Sequence, residues 1–105
     1  MSDVDEPRRS LTLTEFRDDA GYTRRTIHLL IDRRLVIEGH DLGDTEYEFE
    51  RTLSVAATAQ LAGLLDVPVD GLLPAIQQRF GTTQPLEAFL EEHDVPTEFW
   101  NRIGD

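Results

Sequence analysis

Two sets of side chains in this sequence have the type and spacing to bind something. The first is basic: Arg24, Arg25 and His28, followed by Arg33 and Arg34, all within the stretch Thr12 to Leu35, TLTEFRDDAGYTRRTIHLLIDRRL. Arginines set along one helix are the groups that hold phosphates and reach base edges in a DNA groove. An equally good account of the arginine pairs is that they are solvated helix ends, since cations near a helix C-terminus are favoured by its dipole. The second set is acidic: Glu46, Glu48 and Glu50 alternate with Tyr47 and Phe49. In a strand that alternation puts three carboxylates on one face and two rings on the other. The rings then pin the strand to a core, and the carboxylates suit a partner with a basic surface. Reactive sets are missing. There is no glycine-rich phosphate loop, nucleophile elbow, or His/Asp/Ser grouping at a recognised spacing. His28, His40 and His93 lack metal-ligand spacing, and the absence of cysteine excludes disulfides and thiolate zinc sites. The expectation is a protein that is not an enzyme and takes no cofactor and no metal.

The elements that must position these groups read as mainly α. Thr12 can cap a first helix, with Glu15 completing a capping box, and Thr23 can cap a second. Gly21 supplies the turn between them. Leu13, Phe16 and Ala20 fall on one face of the first helix, and Ile27, Leu30 and Ile31 on one face of the second. A β-hairpin follows, with Val36-Ile37-Glu38 and Tyr47-Glu48-Phe49 flanking the turn-rich GHDLGDTE. Helices are expected from Thr52 to Leu65, and from about Val69 to Arg79 with Pro74 in the first turn or at a kink. Another covers Leu86 to His93 after Thr83-Gln84-Pro85. A last short helix after Val95-Pro96 presents Phe99, Trp100 and Ile103 to the core or to a partner. The expected domain plan is a flexible leader over 1–10, a folded domain over 11–80 and a short helical extension over 81–105.

A chain of 105 residues suits one domain with one core. Its net charge of −11 argues against a surface built throughout to hold a polyanion. The first 34 residues carry as many arginines as acidic residues, so the whole excess of acid lies after them. Every basic residue other than histidine is arginine, a composition that fits a high-salt cytoplasm or a GC-rich genome and says nothing of function. No apolar run approaches the roughly 20 residues that span a bilayer, and no signal-peptide core is present, so a cytoplasmic protein without a membrane partner is expected.

The segments Thr12-Leu13-Thr14-Glu15-Phe16, Ala20-Gly21-Tyr22-Thr23, Arg25-Thr26-Ile27, Arg33-Arg34-Leu35-Val36 and Leu64 to Leu72 resemble the MerR superfamily of winged helix-turn-helix proteins over residues 11 to 80. That resemblance implies a helix-turn-helix, a short hairpin wing and two further helices. Two functions follow from it. The length, Leu11 to Phe16, Tyr47 with Phe49 in the wing and the Leu65 to Leu72 junction are most similar to chaperone modulators of the CbpM type, which implies binding to the J-domain of a DnaJ-type co-chaperone; Glu46, Glu48 and Glu50 are the candidate contact for its basic surface. The alternative is a DNA-binding transcriptional regulator using Arg24, Arg25, His28, Arg33 and Arg34. A homodimer is compatible with either. Carboxylates on the wing would repel a phosphate backbone, each by up to ~1 kcal/mol at exposed sites, which favours the protein-binding reading.

Overall fold

The segment read as a helix pair is a β-hairpin. In a computed structural model that describes residues 9–104, β1 (Arg9–Asp18) pairs antiparallel with β2 (Gly21–Leu29). Ser10-Leu11-Thr12-Leu13-Thr14 alternates polar and apolar with period two, and threonine is β-branched, which suits a pleated surface. The register slips between Thr12 and Thr14, leaving Leu13 as the extra residue of a bulge. The hairpin is closed by Asp18, whose Oδ1 accepts from the N–H groups of Ala20 at 2.8 Å and Gly21 at 3.1 Å. Gly21 is a turn glycine, but of this hairpin: its φ is 152°, and a Cβ there would stand 1.9 Å from the Leu42 carbonyl oxygen.

β3 (Leu35–Leu42) and β4 (Glu46–Leu53) form the second hairpin, the one the sequence leads one to expect, with Gly43-Asp44-Thr45 as its turn. After three helices the chain returns as β5 (Glu98–Gly104) along β4, where a short helix was expected. Phe99, Trp100 and Ile103 therefore lie on an edge strand, about half exposed or more. The result is one antiparallel sheet in the order β1-β2-β3-β4-β5. The architecture is α+β, with 44% of residues in strands and 34% in helices, and not the mainly α winged helix-turn-helix implied by the resemblance. Residues 9 and 10 of the expected leader begin β1, while residues 1–8 fall outside the described part of the chain. The extension expected over 81–105 supplies α3 and the fifth strand of the same sheet.

The middle of the chain is helical as its pattern indicates. Helix α1 (Val55–Leu65) is capped by Ser54, whose side chain accepts from the Ala57 N–H, and ends at Asp66 in a left-handed conformation. A single 3₁₀ turn (Val69–Gly71) leads into α2 (Leu72–Phe80), so Pro74 sits in the first turn, where it deletes no helical hydrogen bond. Gly81 closes α2 with φ 75°, and α3 (Thr83–Glu92) carries Pro85 in its first turn. Ile27, Leu29, Leu35, Ile37 and Leu53 share one side of the sheet and form a single core with Leu61, Leu72, Ile76, Leu86 and Leu90 from the helices. No single helix is long and apolar enough to cross a membrane among the described residues.

Thr58 joins helix to sheet. It is fully buried, its hydroxyl donates to the Ser54 carbonyl at 2.8 Å, and it accepts from the Leu35 N–H at 3.1 Å. Thr58→Val keeps the shape but strands that N–H in the core, so a loss of about 1–3 kcal/mol is expected in urea unfolding. Thr58→Ser should retain the bond and recover much of the loss.

Candidate functional site: the uncovered face of the sheet

Because side chains alternate along a strand, the sheet has a second face. The helix residues of the core cluster with Ile27, Ile37 and Leu53 of the first face, while on the second Thr26 is buried and His28, Glu38, His40 and Glu48 are half-buried. Strand pairing arranges this face in transverse rows. One row runs Thr12, Thr26, Glu38, Glu50, Trp100 across β1 to β5. The next runs Glu15, Arg24, His40, Glu48, Arg102, and a third begins Ser10, His28, Val36, Thr52, Glu98. Glu46, beside the hairpin turn, completes the acidic edge of β4.

The polar groups of this face bond to one another. His28 lies between Ser10 Oγ, 2.6 Å from its Nδ1, and Glu38 Oε1, 2.7 Å from its Nε2. His40 Nε2 lies 3.0 Å from Glu46 Oε2 and 3.5 Å from Glu48 Oε2. Arg102 Nη2 donates to the other oxygen of Glu48 at 2.7 Å. The Tyr22 hydroxyl donates to Glu15 at 2.6 Å, and that bond holds the phenol above its ordinary pKa. Glu50 takes part in none of these bonds and stands directly opposite Glu38, whose Oε1 is engaged by His28; such a like-charge cross-strand pair costs a few tenths to about 1 kcal/mol.

Glu46, Glu48 and Glu50 therefore lie together on one face, with Tyr47 and Phe49 on the other, as the alternation requires. Phe49 is buried over Gly39, where a Cβ would meet its ring at 2.1 Å. The basic set is not brought together. Arg24 and His28 belong to the uncovered face, whereas Arg25 points to the helix side and its guanidinium forks onto Asp41 at 2.8 and 3.3 Å. Arg33 bonds to Asp70 at 3.1 Å, and Arg34 to Asp32 at 2.8 Å, in the turn between β2 and β3. With no second helix to carry them, these arginines do not line a common groove-reading edge.

The Arg25 bond holds the Asp41 carboxyl below its ordinary value of 3.8. A lowered folded-state pKa gives stability that is present in full above 3.8 and is lost as pH falls through the folded value. Asp41→Asn should therefore cost about 1 kcal/mol at neutral pH, discounted because about a third of the Asp41 side chain remains in water. In thermal melts the gap between the two proteins should close below pH 3.8.

Glu38, His40 and Trp100 share the face with the three glutamates; the sequence offers Trp100 as a core or partner contact on a helix, sets His40 aside as a ligand, and gives no functional reading of Glu38. The signal was present: once Gly43 to Thr45 is taken as the turn, pairing sets His40 opposite Glu48 and Glu38 opposite Glu50. No protein-family model matches the chain, and no solved structure is a significant match to its fold.

Proposed function

We propose that this chain is a small non-enzymatic cytoplasmic protein whose uncovered sheet face binds a protein partner through a basic surface. The observation that supports this most is the opposed pair Glu38 and Glu50, flanked by Trp100 on the neighbouring edge strand. Such a pair is unfavourable in the free protein and becomes favourable when a cation is set between the carboxylates. Trp100, half exposed, offers an aromatic face to the same cation. Arginine side chains of a partner satisfy both demands, and the −11 charge would speed encounter with such a surface. The basic surface of a J-domain is one member of this class and the first to try.

Trp100 is the only tryptophan, so its fluorescence reports on this face. Titration with a J-domain and with an arginine-rich peptide should give a saturable emission change that weakens with salt. Duplex DNA at matched salt should give none. Submicromolar DNA binding with a steep salt slope, or no response to either basic ligand, would overturn the proposal.

A further inference from the structure

We propose that His40, Glu46 and Glu48 form a binding site for a divalent transition-metal cation of the Zn²⁺ kind. The β3–β4 hairpin sets His40 directly across from Glu48, with Glu46 on the diagonal, so the three ligands come from one rigid ladder. Their donor atoms lie within 4.8 Å of one another, and each side chain is only partly exposed. Zn–N and Zn–O bonds of about 2.0–2.2 Å in a tetrahedron place neighbouring donor atoms about 3.4 Å apart. The Nε2 to oxygen separations here, 3.0 and 3.5 Å, are close to that spacing, and the two carboxylates, whose oxygens lie within 4.8 Å, need only side-chain rotation to close round one cation.

One imidazole nitrogen faces an oxygen of each carboxylate, and a cation set among the three accepts the imidazole lone pair and one oxygen from each. Arg102 holds Oε1 of Glu48 at 2.7 Å and leaves Oε2 turned to His40, the arrangement by which a second residue orients a one-oxygen ligand. One imidazole with two carboxylates suits a borderline cation. Ca²⁺ and Mg²⁺ take oxygen ligands, in larger number or with several waters retained. Three protein ligands leave a fourth position for water or for a donor from another molecule.

The inference does not rest on the basic-partner reading, and its test contains no partner. Zn²⁺ alone is titrated into the full chain by calorimetry at neutral pH, with folding of each variant checked by circular dichroism. One Zn²⁺ per chain is expected, undiminished by excess Mg²⁺. His40→Ala and the isosteric Glu48→Gln should each weaken binding at least tenfold, while His93→Ala leaves it unchanged. Absence of 1:1 binding at tens of micromolar, or retention of wild-type affinity in both His40→Ala and Glu48→Gln, overturns the site.

Discussion

Ile27→Ala should destabilise this protein by about 2–5 kcal/mol, and Ile31→Ala by no more than about 0.5 kcal/mol. The contrast follows from which side chains the core contains. Ile27 is wholly buried on β2, between Leu11 of β1 and Ile37 of β3, under the helices. Truncating it removes three carbons from water-free contact and leaves a cavity that a sheet paired on both sides cannot collapse into. Ile31 lies in the turn after β2 and is 67% exposed. On the helix-turn-helix reading both isoleucines would sit on one buried stripe and cost alike. Urea unfolding of the two variants therefore separates the folds by several kcal/mol, far more than the error of the extrapolation.

The second large effect concerns binding. Reversing Glu46, Glu48 and Glu50 to lysine should weaken a basic partner by about 30- to 1000-fold, which is about 2–4 kcal/mol. Each reversal removes an attraction and adds a repulsion, and the three positions fall on one side of one strand. Stability should move much less, because the changes offset one another. Glu50→Lys places a cation opposite Glu38 and relieves the like-charge pair, while Glu48→Lys gives up the 2.7 Å bond to Arg102. Melting temperature and affinity are thus separable readouts. A variant that binds as well as wild type removes the glutamate face from the proposal.

What could be read from sequence divides along local and non-local lines. Helices α1, α2 and α3 were legible because their signals are local: apolar spacing around Leu61, Leu72 and Ile76, first-turn prolines, and Gly81 as a stop. The β3–β4 hairpin was legible from its turn and its alternation. Thr12 to Leu35 was not, because it satisfies two periods at once. Read at 3.6 residues it aligns Ile27, Leu30 and Ile31; read at two it aligns Arg25, Ile27 and Leu29. What decides is the Asp18 side chain that closes a hairpin turn, a local signal that a helical capping pattern overlaps, together with pairing to β3, which lies beyond the stretch. The same holds for Phe99 to Ile103, which become a strand only because β4 has a free edge to receive them. Of the site residues, Glu46, Glu48 and Glu50 were found by strand alternation. His40 falls within the turn-rich GHDLGDTE, and only strand pairing as far as Asp41 brings it opposite Glu48.

The central claim is that the acidic face without helices is the working surface. Backbone amide chemical-shift mapping of the labelled protein during titration with an arginine-rich peptide tests it most directly. The expected shifts cluster on Thr26, Glu38, His40, Glu48, Glu50 and Trp100, with α1 to α3 little changed. Shifts confined to the helices or to the turn carrying Arg33 and Arg34, or none at saturating peptide, would contradict it.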